Sequence, residues 1–421
     1  MKEKLSLTTN KDYWTFPSYR NKGINSIVDY PAMMIDVMQE ELIEAALSKI
    51  DDPHTLLDPF HGAGTALIIA QKMGINPIGI DINPLANLIA HVKLHDYDME
   101  ELREKSDMLF ERLKQDTAFK ILDFKGIGKW FREDVILDLS KIRECILRES
   151  DLETRKFFWV CFSRIVRKYS NSRSSTFKLH IKEQKDILSM TNTSIDDFID
   201  VVKENVMKMK VYYKKNEPLL YCGDCLTKLD EVPNNSVDII CTSPPYGDNG
   251  TTITYGQFST LQLKWIDEND LDESTKTINA FLTSIDSNSL GGKKHVKSNN
   301  LNTVSEYLKR ITESKRSKVV NFINDYSDAF DKMSLKLKAG GFMILTVGNR
   351  KVDNISMPFD KINIELATRN DLELVQRLTR KIVNKRMASK LSHLTEIGAV
   401  ESMKEETILI FKKKGYSIDE H

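Results

Sequence analysis

The chain has 421 residues, and its 61 Lys and Arg balance its 61 Asp and Glu. The length implies about two to four ordinary domains, or one fold with large insertions. Zero net charge excludes a simple polycation and an acidic tail protein, but a neutral total can hide a basic face. No apolar run approaches the roughly 18 residues that a membrane span needs. Met1–Leu7 lacks the apolar stretch of a secretion signal. The five cysteines, an odd number, do not form a disulfide framework on this reading. A cytoplasmic protein with reduced thiols and no membrane partner is expected.

In chain order, Thr55-Leu56-Leu57 reads as a short apolar strand. Asp58-Pro59-Phe60-His61-Gly62-Ala63-Gly64-Thr65 is a turn, and Ala66–Met73 is apolar at helical length. Asn76-Pro77 breaks the helix, Ile78-Gly79-Ile80 is a second buried strand ending at Asp81, and Asn83-Pro84 starts a helix over Leu85–Val92. Strands alternating with helices mean a parallel, doubly wound sheet. From Tyr97 to Met209 the period is helical, as in Glu100–Lys114 and Val135–Glu149, with a polar basic loop at Lys168–His180. The strand pattern resumes at Pro218–Asp224 and at Val237–Cys241. Asp267–Lys318 is polar loop with short helices. Asn321–Leu337 is a helix, followed by Gly340-Gly341 and the strand Phe342–Val347. Leu372–Leu378 and Thr407–Phe411 are late strand candidates.

The Asp58–Thr65 turn lies between a strand and a helix. Gly62 and Gly64 let the backbone approach a ligand, and the helix start offers unpaired N–H groups. A dinucleotide fingerprint wants a third glycine where this chain has Leu67, which favours a nucleoside site without a pyrophosphate. Asp81, at the end of the second strand, suits a ribose diol. Asp224, at the end of the third, could accept from an adenine amine. As an alternative, the two acids cap helices and the glycines merely turn the chain. Thr242-Ser243-Pro244-Pro245-Tyr246 follows another buried strand. Two prolines remove two donors and stiffen the turn. The Ser243 hydroxyl and Pro244 carbonyl can then accept the hydrogens of an exocyclic amine, with Tyr246 stacking on the base. Cys241 reads as packing, His61 as a shape residue in the turn, and Cys222-Gly223-Asp224-Cys225 as no metal site, since a second ligand pair is missing.

Together, Asp58–Thr65 and Thr242–Tyr246 resemble the S-adenosylmethionine-dependent amino-methyltransferases of DNA. The Ser-Pro-Pro-Tyr form looks most like the N4-cytosine branch; adenine-N6 enzymes more often carry Asp-Pro-Pro-Tyr. Tyr30 through Ile43 looks like the family's element that closes over the methionine part of the cofactor. Tyr246–Thr252, Tyr255–Ser259 and Ser170–His180 are also similar to such enzymes. The resemblance implies an α/β, Rossmann-like methyltransferase sheet of about seven strands with a terminal antiparallel hairpin and a large helical insertion. It implies S-adenosyl-L-methionine held by Tyr30, Asp58, Phe60, Gly62, Gly64, Thr65, Asp81 and Asp224, and catalysis by Ser243, Pro244, Pro245 and Tyr246. It further implies base flipping and direct methyl transfer without a covalent base adduct, on cytosine N4 of double-stranded DNA. The alternatives are adenine N6 in DNA, an RNA base amine, or an inactive specificity subunit. A restriction–modification setting with a cognate restriction endonuclease follows from the resemblance alone. The oligomeric state is open.

The resemblance lays the catalytic fold on residues 1–95, 214–266 and 319–421. It leaves 96–213 as a helical insertion and candidate DNA-recognition domain, and 267–318 as a second insertion that contacts DNA. The ten residues after Phe411 hold no recognition domain, so target recognition is expected in the insertions. Basic residues cluster at Arg155–Lys185 and Arg377–Lys390. Arg167, Lys168, Asn171, Arg173 and Lys178 are the candidate DNA contacts. The acidic stretches Asp96–Glu104 and Asp267–Glu273 are expected to face away from a basic cleft.

Overall fold

Leu56 and Leu57 are both wholly buried, one against each face of a sheet, as a strand covered on both sides requires. They lie in β1 (Thr55–Asp58) of a computed structural model. The structure describes residues 5–115, 118–209, 218–247, 254–271, 285–292, 300–382 and 405–415. The other sheet strands are β2 (Asn76–Asp81), β3 (Leu219–Cys222), β4 (Val237–Thr242), β5 (Leu337–Val347), β8 (Leu372–Lys381) and β9 (Glu405–Lys413). A separate two-stranded ribbon is formed by β6 (Lys351–Val352) and β7 (Ile355–Ser356). The seven-stranded order is β3-β2-β1-β4-β5-β9-β8, parallel from β3 to β5 and antiparallel through β9 and β8. The chain is thus an α/β protein with the expected sheet and terminal hairpin.

Helices cover both faces. Those before β3 are α1 (Asp36–Leu47), α2 (Thr65–Lys72), α3 (Pro84–Leu94), α4 (Met99–Lys114), α5 (Ile127–Trp130), α6 (Glu133–Leu147), α7 (Leu152–Tyr169), α8 (Gln184–Leu188) and α9 (Ser194–Lys208). Next come α10 (Cys225–Lys228) and α11 (Tyr255–Trp265). Helix α7 is the hub of the helices between β2 and β3, with Phe157, Phe158, Trp159, Phe162 and Val166 all buried. It packs on α3, α6, α9 and α11. The side chains of the insertion and of α1–α3 therefore share one continuous core. The other face is covered by Phe322, Tyr326, Phe330 and Met333 of the helix Glu313–Lys336, with Phe359 and Ile362 of Phe359–Arg369.

Three elements depart from the sequence reading for physical reasons. Strand β2 begins two residues early, with Pro77 opposite Leu56, because a strand's first residues can dispense with one N–H donor. Strand β5 starts at Leu337 rather than Phe342, so Gly340-Gly341 lies inside it. Gly340 has φ +80°, and the β4–β5 register shifts between Val237 and Ile239. The helix read as Asn321–Leu337 starts at Glu313; its first turns are exposed and lack the apolar stripe from which a helix is read. No helix among the described residues is long and apolar enough to cross a membrane.

Candidate active site

The sheet order reverses between β1 and β4, and the two motifs leave the carboxyl ends of these adjacent strands. Doubly wound sheets bind ligands at such a switch point. Thr242 Oγ1 donates to Asp58 Oδ1 at 2.6 Å, and the Phe60 N–H donates to the same oxygen at 3.1 Å. Asp58 is wholly buried. Burial pushes its carboxyl up to about 7, against the hydrogen bonds from Thr242 and Phe60. Its other oxygen, Oδ2, has no hydrogen-bond partner among the described residues. A buried carboxylate oxygen with no donor fits a ligand that carries an ammonium group.

The glycine turn is held from several sides. Gly62 and Gly64 have φ +52° and +78°, the left-handed region that glycine enters without strain. The Gly62 N–H donates to Asp81 Oδ2 at 2.9 Å, and the Asn83 N–H to Asp81 Oδ1 at 2.8 Å. His61 is buried, with Nε2 3.1 Å from Asn87 Oδ1 and Nδ1 2.9 Å from the Gly62 carbonyl, which suits the shape role read for it. Lys93 Nζ donates to the Ala63 carbonyl at 2.9 Å, and burial lowers its pKa to about 7. Thr65 is the buried first residue of α2. Phe60 is half-buried against the opposite core.

Tyr30 forms a wall of the turn, its ring in van der Waals reach of a side chain placed at Gly62. Its hydroxyl accepts from Asn83 Nδ2 at 2.9 Å, and its ring meets Tyr255 and Phe258 of α11. Asn83 Nδ2 also donates to Ser259 Oγ at 2.7 Å, so one amide ties β2, Tyr30 and α11 together. The Tyr255–Ser259 segment is thereby brought beside the turn, whereas residues 248–253 lie outside the described residues. Asp224 caps α10 through Leu226 N at 3.2 Å, the helix-cap alternative of the sequence reading.

At the Ser243–Tyr246 turn, Ser243 Oγ and the Tyr246 hydroxyl are 3.1 Å apart. The Tyr246 hydroxyl also donates to Glu406 Oε1 of β9 at 3.3 Å. Burial first, then the Glu406 carboxylate, holds the phenol well above its ordinary pKa, so it stays a neutral donor. Arg350 presses against Gly247, the next residue, leaving no room for a Cβ there. Cys241 is wholly buried, its thiol 3.2 Å from Gln39 Oε1.

The type II methyltransferase M.MvaI of Kocuria varians is 32% identical over 97% of this chain and 96% of its own. The chain belongs to the type II methyltransferases. Two further relatives of this methyltransferase are more partial. M.MjaII of Methanocaldococcus jannaschii is 28% identical over 46% of this chain and 33% of its own. M.BsoBI of Geobacillus stearothermophilus is 27% identical over 57% and 52%. No protein-family model matches. Among solved structures, a putative DNA modification methylase from Thermus thermophilus, complexed with S-adenosyl-L-methionine, aligns over 47% of this chain and 56% of its own. Its identity is 14% and its TM-score 0.24.

Not all candidate DNA contacts of the methyltransferase stand at its surface. Arg167 lies over the Phe258 ring at 4.2 Å and donates to the Thr176 carbonyl at 3.3 Å. Lys168 pairs with Asp197. Asn171 is buried and donates from Nδ2 to the Lys129 carbonyl at 3.2 Å. Arg173 and Lys178 are exposed. In the other basic run, Arg377 pairs with Asp360, Arg380 with Glu406 and Lys381 with Asp12. Lys385, Arg386 and Lys390 lie outside the described residues. Asp267 and Asp270 of the second acidic stretch are ion-paired. They bind Arg143 and Arg155, because each buried or half-buried carboxylate takes a guanidinium partner from the insertion.

Missed from sequence were Thr242 as donor to Asp58, Asn83, Lys93 and the Arg380–Glu406 pair. Asn83 alone had a local signal, as the N-cap just after Asp81.

Proposed function

We propose that the chain is a site-specific DNA methyltransferase that moves a methyl group from S-adenosyl-L-methionine to cytosine N4 in double-stranded DNA, within a restriction–modification system. The observation that carries this reading is the hydrogen bond from Thr242 to Asp58. It sets the glycine turn and the Ser-Pro-Pro-Tyr turn side by side at the strand ends.

When bound, the cofactor supplies an electrophilic methyl carbon on a sulfonium. Asp58 Oδ2 would hold the methionine ammonium, Asp81 the ribose diol, and the Gly62–Gly64 backbone would let the ligand approach closely. Tyr30 and Phe60 would wall the pocket, with Thr65 at the helix start and Asp224 at its far edge. Ser243 Oγ and the Pro244 carbonyl would accept the two hydrogens of the flipped base's amine and aim its lone pair at the methyl carbon. Tyr246 would stack on the base, and exclusion of water would preserve the in-line approach.

Incubation with labelled cofactor and duplex DNA, followed by digestion to nucleosides, tests the proposal. N4-methylcytosine is the expected product. N6-methyladenine would move the target to the other amine, and label on RNA alone would overturn the DNA reading. Sequencing of methylated sites in the expression host supplies the recognition sequence.

A further inference from the structure

The hydrogen bonds around Tyr246 have a direction that the donor inventory fixes. Arg380 and Glu406 are cross-strand neighbours on β8 and β9. Arg380 donates to Glu406 Oε2 from Nε at 2.9 Å and from Nη2 at 2.6 Å, with both side chains 12% exposed. A carboxylate held this way is ionised and only accepts. Its second oxygen therefore takes the single Tyr246 proton, at 3.3 Å. Tyr246 then has only lone pairs for Ser243, 3.1 Å away, so the Ser243 proton must turn toward Tyr246. What Ser243 Oγ keeps for a substrate is lone pairs alone. The neighbouring Pro244 carbonyl is an acceptor in any case.

We infer that the Arg380–Glu406 pair is a positioning device. It polarises the Ser243–Tyr246 hydroxyl chain, so that the site selects a base carrying an exocyclic amine and rejects one carrying a carbonyl at the same position. A carbonyl there would face acceptors on both sides and lose its hydrogen bonds to water without replacement. The inference rests on the proposed reading that Ser243 meets the target nitrogen. It holds equally for cytosine N4 and adenine N6.

Glu406→Gln reverses the chain while keeping its shape. The carbonyl of the new amide must face the Arg380 donors, which turns its NH2 toward Tyr246. The Tyr246 proton is then free for Ser243, and the Ser243 proton for the substrate. Tyr246→Phe breaks the chain altogether.

The test uses the full chain and duplexes bearing the methylated sequence mapped in the host. The modified position carries the natural base or its carbonyl counterpart, uracil for cytosine or hypoxanthine for adenine, each opposite an abasic site so that neither is paired and flipping costs the same. In competition binding the wild type is expected to prefer the amine duplex by about tenfold or more, as sites built on hydrogen bonds do. In Glu406→Gln that preference shrinks or inverts, with cofactor affinity unchanged. If Glu406→Gln melts early, Tyr246→Phe supplies the same comparison. Wild-type preference retained in both variants overturns the inference and leaves the methyltransferase reading standing. A wild type that methylates no DNA amine overturns that reading instead.

Discussion

The Thr242 hydroxyl reaches Asp58 across adjacent parallel strands at 2.6 Å, so the end of β4 opposes the upward push of burial on the Asp58 carboxyl. Burial holds the Asp58 carboxyl at about 7, and Thr242 is the largest influence pulling it down. Binding of an ammonium needs the ionised form. Cofactor affinity should therefore rise as pH increases through about 7. Thr242→Val removes the donor, pushes the carboxyl higher and should weaken cofactor binding at neutral pH by roughly tenfold, the scale of one charge-assisted hydrogen bond. Calorimetric titration across pH is the check. Identical pH profiles for variant and wild type would show that Thr242 does not act through Asp58.

The two glycines of the turn should respond differently to alanine. Both have left-handed φ, which strains any other residue by about 1–2 kcal/mol. A Cβ at Gly64 would also meet Ala90 Cβ at 3.1 Å, whereas one at Gly62 meets only Tyr30, its Cε1 at 3.6 Å. Gly64→Ala should lower the melting temperature more than Gly62→Ala, because α3 must shift away. Equal losses in thermal melts would mean that backbone strain alone matters.

How far such relationships could be read in advance depends on sequence distance. Asp58, Asp81 and the glycines sit in one local strand–turn–helix pattern, so their placement followed from periodicity and turn chemistry. The same holds for Thr242–Tyr246 after β4. The partner of Tyr246 did not follow, because Glu406 is 160 residues away and reaches it only through the pairing of β9 with β5 and β8. Arg380 read as one member of a basic run with no acid inside it; its acid comes from the facing strand. Pro77 marked a break by composition and Gly340 stood before the strand read at Phe342–Val347, yet both are absorbed into strands at positions where a missing donor or a positive φ is tolerated.

The buried knot around Asp270 makes a stability prediction. Its carboxylate accepts from Arg155 Nε and Nη2, both at 2.8 Å, and from Trp159 Nε1 at 2.7 Å. This joins the segment after α11 to α7. Asp270→Ala would leave a guanidinium and an indole N–H without their acceptor. The expected loss is about 3 kcal/mol, typical of breaking one side of a buried pair. Urea unfolding of Asp270→Ala and of Arg155→Met should both show it. A loss under about 1 kcal/mol, the range of an exposed pair, would mean the knot is solvated.

Glu153 of α7 sets an acid limit on how the insertion is fastened to α3. Burial opposes its ionisation, but hydrogen bonds from His91 and Lys156 outweigh that and hold the carboxyl down at about 2. For an acid with a depressed folded pKa, the stabilisation is complete above the unfolded value of 4.5 and disappears as pH falls toward about 2. Unfolding midpoints of wild type and Glu153→Gln should therefore differ at pH 6 and converge only as pH approaches about 2. A gap that persists at low pH would assign the effect to packing.

The surface loop after α7 separates electrostatic contacts from structural ones. Arg173 and Lys178 are exposed beside a Phe177 ring that meets Phe258, while Asn171 is buried and bonded to the Lys129 carbonyl. If the loop lies along DNA, Arg173→Ala and Lys178→Ala should each weaken duplex binding. Each should also reduce the slope of log affinity against log salt by about 1, the signature of one lost phosphate contact. Neither should move the melting temperature. Asn171→Ala should do the reverse, because truncation leaves the Lys129 carbonyl without that donor and removes a side chain from a packed site. Fluorescence anisotropy at several salt concentrations, read beside thermal melts, separates the two classes. An unchanged salt slope in the Arg173 and Lys178 variants would move the phosphate-contacting surface off this loop.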